Sequence, residues 1–314
     1  MKKILVTGGT GFIGSHIVDS LLELGHSVVI IDNLSNGKTE NINPKAKFYQ
    51  CDITNKKQIE KIICKEKPDI INHHAAQTKV IRSINNPIFD LKNNIIGTIN
   101  ILESIKKLKH FEKIIFASSG GAIYGEEALV PTSEQSPPQP LSPYGISKRS
   151  CELYLQSYYK NFGIKYIILR YSNVYGPRQM ANGEGGVIAI FCKAIADNNK
   201  VKIYGNGKQT RDYIYVEDIV KANIKSLNQL EPAIFNIGTG QETSVNQLFN
   251  IISERVKNKK KPEYLPTRQG ELLRSCLDIK LAQKQLNLNK TTDIKKGLYK
   301  TLEWFQLKTD QRSQ

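Results

Sequence analysis

A glycine-rich turn between an apolar run and a helical pattern constrains the fold of this chain more than any other feature. The β-branched run covers residues 3–7, the turn reads Thr7-Gly8-Gly9-Thr10-Gly11-Phe12-Ile13-Gly14, and apolar residues recur at helical spacing over 15–25. A second apolar run over 28–31 ends on Asp32, 18 residues after Gly14. Such glycines let backbone N–H groups approach a pyrophosphate at a helix N-terminus, while an acidic residue at this distance binds the adenosine ribose. The pattern predicts a dinucleotide site, and because the Asp32 carboxylate would repel a 2′-phosphate, it favours NAD over NADP.

Strands and helices continue to alternate beyond this unit. Strands are predicted at 48–53, 69–73, 113–118 and 166–170, and helices at 55–66, 93–109 and 146–162. This alternation is typical of a doubly wound parallel sheet, the Rossmann class of α/β fold. After residue 175 the glycine-rich loops, the predicted helices at 187–198 and 244–257 and a short strand at 201–204 indicate a smaller mixed α/β lobe for substrate. We expect an NAD-binding domain over 1–174 and a mainly substrate-binding lobe over 175–314, with segments near 212–240 returning to the first domain.

Tyr144 and Lys148 are the first candidates for catalysis. Residues four apart on a helix lie one turn apart on the same face, so the ammonium can lower the pKa of the phenol and make it a general base. The preceding Ser142-Pro143 suits the start of a helix. The same spacing also occurs on many solvated helix faces. Its position downstream of a dinucleotide motif is what favours the catalytic interpretation.

Composition bears on partners and compartment. The formal net charge is +16, but 36 lysines against 9 arginines are spread over the whole chain, which favours a compositional bias over a nucleic-acid groove. No apolar run reaches the roughly 18 residues that a membrane span requires. The five cysteines are widely spaced without a C-x-x-C pair, which indicates reduced thiols and a cytoplasmic protein. His73 and His74 point to opposite faces of a strand, so no metal site is expected.

Further motifs carry a family resemblance. They are His74-Ala75-Ala76-Gln77, Ser118-Ser119-Gly120-Gly121-Ala122-Ile123-Tyr124-Gly125, Ser142-Pro143-Tyr144-x-x-Ser147-Lys148, Arg170-Tyr171-x-Asn173-Val174-Tyr175-Gly176-Pro177-Arg178-Gln179 and Arg211-Asp212-Tyr213. With the glycine turn and Asp32-Asn33, they resemble the extended short-chain dehydrogenases/reductases, and among these the UDP-glucose 4-epimerases and close nucleotide-sugar relatives. The resemblance extends to about Trp304.

The resemblance implies a reaction and a set of residues. Tyr144 would take the proton of the sugar 4-hydroxyl while hydride passes to NAD, and the 4-keto sugar would turn over before hydride returns. The implied cofactor contacts are Gly8, Gly11, Phe12, Ile13, Gly14, Asp32, Asn33, Asn36, Asp52, Ile53, Ala75, Ala76, Gln77, Asn94, Ser118, Tyr144, Lys148 and Tyr171. The implied substrate contacts are Asn173, Val187, Tyr204, Arg211, Arg268, Glu271 and Ser275. A homodimer through helices near 93–109 and 146–162 is also implied.

One position departs from the family pattern. The Ser or Thr that usually hydrogen-bonds the sugar 4-oxygen would stand at Gly120, so Ser119 is the first candidate for this hydroxyl and Ser118 the second. Nucleotide-sugar 4,6-dehydratases and UDP-glucuronate decarboxylases carry acidic residues where this chain has Gly121 and Ala122. Water elimination therefore lacks an evident acid–base group.

Three functions stay open on the sequence. The first is a 4-epimerase of a UDP-hexose, either UDP-glucose and UDP-galactose or their N-acetylated forms. Ser275 bears on that choice, because it stands where family members restricted to non-acetylated sugars carry a bulky tyrosine. The second function is epimerisation of another UDP-sugar such as a UDP-uronate. The third is an NAD or nucleotide-sugar sensor without catalysis, which intact Tyr144 and Lys148 disfavour.

Overall fold

The computed structural model describes residues 1–126, 128–181, 186–257, 260–267 and 272–310. In chain order its strands are β1 (Lys3–Thr7), β2 (Ser27–Asp32), β3 (Lys47–Gln50), β4 (Ile70–His73), β5 (Lys113–Ser119), β6 (Lys165–Tyr171), β7 (Asn173–Tyr175), β8 (Lys202–Tyr204), β9 (Thr210–Arg211), β10 (Tyr213–Tyr215), β11 (Ala233–Ile237), β12 (Thr243–Ser244) and β13 (Glu263–Leu265). Its α-helices are α1 (Phe12–Glu23), α2 (Lys56–Glu66), α3 (Val80–Asn85), α4 (Pro87–Leu91), α5 (Gly97–Ile105), α6 (Gly120–Ile123), α7 (Pro143–Phe162), α8 (Val187–Ala196), α9 (Val216–Ser226), α10 (Val245–Arg255), α11 (Lys280–Leu286) and α12 (Ile294–Asp310).

A seven-stranded sheet in the order β11-β6-β5-β4-β1-β2-β3 forms the centre of the molecule. All of its neighbouring strands pair in parallel. Helices cover both faces, with α1 against α9 on one side and α2 against α5 on the other. This doubly wound parallel arrangement confirms the fold class predicted from the alternating pattern.

Burial on both faces explains why the central strands read as continuous apolar runs. In β1, Ile4 and Val6 belong to the core beneath α1, and Leu5 belongs to the core on the opposite face. All three side chains are fully buried. Because alternate strand residues point to opposite faces, the single run Ile4-Leu5-Val6 contributes to both cores.

A third core lies in the second half of the chain. It combines side chains of α8, α10 and α12 with the aromatic residues Tyr175, Tyr213 and Tyr215 around β7 and β10. Two-stranded pairs, β8 with β13 and β9 with β12, lie beside these helices. Strand β11 pairs with β6, so the chain enters the central sheet again after passing through this lobe.

The helix that carries Tyr144 and Lys148 has defined ends. The Ser142 Oγ accepts a hydrogen bond from the Gly145 N–H at 3.1 Å, and Pro143 occupies the first turn. At the other end Gly163 adopts a left-handed conformation with φ 70°. Both signals are readable in the sequence, and they set where α7 begins and ends.

Two predicted boundaries are wrong. Strand β3 ends at Gln50 rather than residue 53, because the Asp52 carboxylate accepts from the Thr54 N–H and Oγ1 and turns the chain there. The helical segment predicted over 93–109 begins at Pro87 and ends at Ile105. Its centre, Lys92–Ile96, is a π-helical turn that widens the backbone around Asn94.

The helices and the cysteines bear on the expectations about membrane spans and thiols. None of the helices in the described ranges is both long and apolar enough to cross a bilayer. The five cysteines are free thiols, and four of them are buried. Because these thiols are free, packing and hydrogen bonds, and not disulfides, hold the core around them.

Candidate active site

A cleft of about 460 Å³ opens at the carboxyl ends of the central strands. This volume lies within the range of small-molecule sites, and the carboxyl edge is where doubly wound sheets bind ligands. Many of the predicted cofactor and catalytic residues line it, together with Asn173: Gly8, Gly11, Phe12, Ile13, Gly14, Asp32, Asn33, Asn36, Ile53, Ala75, Ala76, Ser118, Ser119, Tyr144, Lys148 and Tyr171. The structure therefore brings residues from six separate motifs to one site.

The glycine turn forms a close-packed floor for part of this cleft. Gly8 has φ +69°, and a Cβ added there would lie 2.7 Å from the Ala75 backbone nitrogen. A Cβ on Gly14 would lie 2.2 Å from the Gly8 carbonyl oxygen. Only glycine permits this approach of α1 to the end of β1, so the backbone remains open to a pyrophosphate.

Asp32 is fixed in orientation at the end of β2. Its carboxylate accepts from the Thr10 N–H at 3.1 Å and from the Leu34 N–H at 2.9 Å, and the side chain is buried. Asn33 donates through Nδ2 to the Asp52 carboxylate at 2.7 Å. Asp52 itself is outside the cleft lining, and its carboxylate oxygens accept hydrogen bonds from Asn33 and Thr54.

Three buried polar atoms on cleft-lining residues have no hydrogen-bond partner among the described residues. They are His74 Nδ1, Ser172 Oγ and Gln179 Oε1. Buried polar atoms are normally paired, so these atoms are suited to contacting a polar ligand. With the glycine floor and the fixed Asp32 carboxylate, they fit an NAD molecule extended along the cleft.

The catalytic candidates meet where β5 ends beside α7. The Lys148 ammonium donates to the Ala117 carbonyl oxygen at 2.8 Å and lies 4.7 Å from the Phe116 ring centroid. The Ser119 side chain lies beside the Tyr144 hydroxyl and lowers its pKa. Tyr144, Lys148 and Ser119 therefore form one cluster, built from one turn of helix and the last residue of a strand.

The expected effect of Lys148 on the Tyr144 hydroxyl is wrong for the protein chain alone. Burial raises the pKa of Tyr144 to about 12, the Ser119 hydrogen bond opposes this rise, and the Asp90 charge adds to it. Burial also lowers the pKa of Lys148. The ammonium is directed at the Ala117 carbonyl, so the helical spacing places the two groups together without by itself making the phenol acidic.

The two serines that follow Ala117 have different roles. The Ser118 Oγ donates to the Glu152 carboxylate at 2.7 Å, away from Tyr144, whereas Ser119 contacts the Tyr144 hydroxyl. The absence of a hydroxyl at residue 120 has a packing reason. A Cβ on Gly120 would lie 2.6 Å from Leu277 Cδ1, so a side chain there would collide with the buried leucine.

Gln77 and Asn94 lie behind the cleft wall instead of lining it. Both are buried, and both donate to the Asp90 carboxylate, at 2.8 and 3.1 Å. Asp90 also accepts from the Ser147 Oγ at 2.6 Å. This polar cluster supports α7, the helix that carries Tyr144. The two predicted cofactor residues, Gln77 and Asn94, therefore contact this support and not the cleft itself.

Most of the predicted substrate residues lie in the second lobe. Val187, Tyr204, Arg211 and Ser275 are outside the cleft lining, at the start of α8, the end of β8, the end of β9 and beside β9. The Asp212 N–H donates to the Ser275 carbonyl at 2.9 Å, so Arg211 and Ser275 lie on adjacent segments. Arg268 and Glu271 fall outside the described residues.

Three cations in the cleft lining were not predicted as site residues. Lys38, Lys79 and Arg178 line it, and Arg178 also forms an ion pair with Asp19 of α1 at 2.8 Å. Arg178 has φ +68°, which is rare for a bulky residue and often marks a functional site. Its position after Gly176-Pro177 was a signal in the sequence; nothing in the local pattern distinguishes Lys38 or Lys79 from other lysines.

A Rossmann sheet with a glycine floor, a buried aspartate at the end of β2 and a Ser-Tyr-Lys cluster is typical of the class of short-chain dehydrogenases/reductases. The model of the family described as "NAD dependent epimerase/dehydratase family" matches residues 4–238. The chain belongs to this family.

Two solved structures and one curated relative show how similar the whole chain is. A UDP-glucose 4-epimerase of Thermotoga maritima, solved with UDP-glucose, is 45% identical with a TM-score of 0.96, covering 98% of this chain and 99% of that one. A UDP-N-acetylglucosamine 4-epimerase of Methanobrevibacter ruminantium, in complex with UDP-N-acetylmuramic acid, is 38% identical with a TM-score of 0.92, covering 98% and 99%. A UDP-glucose 4-epimerase of Mycolicibacterium smegmatis is 39% identical, covering 98% of this chain and 99% of its own length.

The glycine floor leads to a prediction about the cofactor. Gly14→Ala should abolish the NAD that copurifies with the protein, because its methyl group would push α1 away from the Gly8 carbonyl. The measurement is the NAD released per chain on denaturation. Gly25→Asn is the matched control, since Gly25 also has positive φ, which Asn tolerates, but has open space around it. Equal NAD content in wild type and Gly14→Ala would contradict the prediction.

Proposed function

We propose that this protein catalyses the NAD-dependent 4-epimerisation of a UDP-hexose through a 4-keto intermediate. The observation that carries the proposal is the cluster of Ser119, Tyr144 and Lys148 beside the glycine floor of one cleft. The names of the relatives support the substrate class, since UDP-glucose and a UDP-N-acetylated sugar are bound in two of the similar solved structures.

The chain's own groups account for the proton transfer and its direction. Tyr144 removes the proton of the sugar 4-hydroxyl, and Ser119 donates a hydrogen bond to the 4-oxygen in place of a hydroxyl at residue 120. Lys148 holds its positive charge beside them and contributes a contact to the cofactor ribose. NAD, when bound in the cleft, would supply a hydride acceptor and donor, so the reaction would involve no net oxidation. On return, Tyr144 gives the proton back to the 4-oxygen of the inverted sugar.

Loss of water from the intermediate has no agent at residues 121 and 122. The space at Gly121 is open, since only the Asn173 Oδ1, 3.7 Å away, lies within 4 Å of an added Cβ. No carboxyl group stands at either residue to protonate a leaving hydroxyl or remove a neighbouring proton. The 4-keto sugar is therefore returned to a hexose, which favours epimerisation over dehydration.

The direct test is an assay of the purified protein with UDP-glucose, UDP-GlcNAc and UDP-glucuronate in separate reactions. Formation of UDP-galactose or UDP-GalNAc supports the proposal. Turnover of UDP-glucuronate alone would replace it with a UDP-uronate epimerase, and binding without turnover of any of the three would leave a sensor.

Tyr144 provides the sharpest test of the mechanism. Tyr144→Phe should lower kcat by about 10²- to 10⁴-fold, because the ring stays in place and only the proton-transferring hydroxyl is lost. The NAD content should remain that of wild type. Tyr154→Phe, on the same helix but exposed, is the matched control and should retain full activity. A kcat for Tyr144→Phe within a factor of about two of the control would exclude Tyr144 as the base.

We also propose that the protein accepts N-acetylated hexoses. Ser275 precedes Leu277 by two residues, and Leu277 packs against Gly120 next to the catalytic Ser119. The Asp212 N–H donates to the Ser275 carbonyl at 2.9 Å, next to the predicted substrate residue Arg211. Ser275 thus lies on a segment that runs from Arg211 towards Ser119, and a small residue there would leave space for a substituent at the sugar C2.

This proposal predicts a one-sided effect of filling that space. Ser275→Tyr should lower kcat/KM for UDP-GlcNAc by about tenfold or more and spare UDP-glucose, because overpacking clashes with the acetyl group alone. Ser275→Ala, which keeps the space, is the control. Equal losses with both substrates would mean that Ser275 does not control access to the pocket.

We propose that the protein is a homodimer through helices near 93–109 and 146–162. In support, α4 and α7 expose the large apolar side chains of Ile88, Leu91, Ile146, Leu153 and Phe162. Exposed apolar patches of this kind are typical of protein interfaces. Light scattering should give twice the chain mass of 35.4 kDa, and Leu153→Lys on α7 should shift it to the monomer. A monomeric wild type at assay concentration would contradict this proposal.

We propose a cytoplasmic location on the basis of the five free thiols. Reduced cysteines are typical of a reducing compartment. Fractionation of cells that produce the tagged protein tests this proposal, and recovery of the protein outside the cytoplasm would contradict it.

A further inference from the structure

A buried carboxylate that the mechanism does not use lies behind the catalytic cluster. Glu152 is fully buried on α7, one turn after Lys148. Its oxygens pair with the Arg170 guanidinium of β6 at 2.9 Å from Nε and 2.6 Å from Nη2. Arg170 is 2% exposed, so this bidentate pair is removed from solvent and resists screening.

Three consecutive residues at the end of β5 contact three neighbouring turns of α7. The Ala117 carbonyl accepts from Lys148 at 2.8 Å, and the Ser118 Oγ donates to Glu152 at 2.7 Å. The next residue, Ser119, contacts the Tyr144 hydroxyl. A shift of the end of β5 along α7 would break all three contacts together. Of the three, only the contact between Ser118 and Glu152 is also tied to a second strand, because Glu152 pairs with Arg170 of β6.

The far side of Arg170 is anchored as well. Its Nη1 donates to the Tyr124 hydroxyl at 2.7 Å, and that hydroxyl donates to the Asn236 Oδ1 at 2.8 Å. Asn236 belongs to β11, the strand that enters the sheet from the second lobe. The carboxylate is therefore held between Arg170 of β6 and Ser118 at the end of β5, with little freedom to shift.

We propose that Glu152 is a positioning residue for the reaction: by accepting the Ser118 hydrogen bond it holds the end of β5, and with it Ser119, beside the part of α7 that carries Tyr144 and Lys148. This inference rests on the proposed epimerase function. Glu152 contacts neither substrate nor cofactor, and its effect passes through Ser118 and Lys148.

The charge effect has a definite sign. The Glu152 carboxylate raises the pKa of Lys148, against the larger lowering caused by burial. Removing that charge lowers the pKa of Lys148, so the ammonium is lost at a lower pH. The other titratable or charged groups around Lys148 are Asp90 on α4, Cys151 and Arg149 on α7, His73 and His74 at the end of β4, Arg170 on β6 and Tyr144 itself.

The charge is tested with Glu152→Gln, which keeps the size of the side chain. The measured quantities are kcat per NAD-loaded site, KM and the pH profile of kcat. We expect kcat to fall by about 10- to 100-fold, as small misplacements of reacting groups do, with KM nearly unchanged. The alkaline limb of the pH profile should move to lower pH. Glu103→Gln, a carboxylate on α5 paired with Lys106, is the control and should keep the wild-type profile.

The positioning is tested separately with Ser118→Ala, which leaves the ion pair intact and so preserves folding. Its kcat, measured per NAD-loaded site, should fall without a shift of the alkaline limb. This variant decides the positioning role even if Glu152→Gln does not fold. Wild-type kcat in Ser118→Ala, or an unmoved alkaline limb in folded Glu152→Gln, would overturn the inference. An inactive wild type on every UDP-sugar would instead refute the proposed function.

Discussion

The buried ion pair of Glu152 and Arg170 is the interaction on which the catalytic end of the sheet depends. Taking two charges out of water is costly, and the cost is offset only when every polar atom around them is satisfied. Here Ser118, Arg149 and Tyr124 complete the hydrogen bonds of the pair. Through these contacts, the pair joins β5, β6 and α7 near the carboxyl edge of the sheet. Because its hydrogen bonds are satisfied, this buried pair fixes the positions of β5, β6 and α7 relative to one another.

Burial acts on the site in two opposite ways. It excludes water from Tyr144 and Lys148, which strengthens every electrostatic contact between them and a ligand. The same burial raises the pKa of Tyr144 to about 12 and lowers the pKa of Lys148, because each charged form loses its hydration. Of the causes that act on the pKa of Tyr144, Ser119 is the one that lowers it and so favours the phenolate. Position and acidity in this cluster therefore have different physical origins.

The parts of the site that the sequence predicts well are those set by local backbone requirements. Gly8 and Gly14 are required by the approach of α1 to β1, and Ser142 with Pro143 begins the catalytic helix. The errors occur where side chains override local propensity. The Asp52 turn ends β3 early, and the π-helical turn around Asn94 lies inside a segment that reads as a regular helix. Neither the Asp52 turn nor the π-helical turn is marked in the sequence by a distinctive spacing of apolar residues.

The sequence by itself determined the doubly wound sheet, the dinucleotide floor and the Tyr144–Lys148 pair, because each follows from short-range spacing and from the two periods of strand and helix. Only the tertiary structure decided which serine meets Tyr144. Ser118 and Ser119 are adjacent and identical in type, but Glu152, eight residues beyond Tyr144 on α7, accepts the hydrogen bond of Ser118, which leaves Ser119 beside the Tyr144 hydroxyl. Leu277, distant in sequence, excludes a side chain at Gly120. Long-range packing sets these contacts, and no local pattern encodes it.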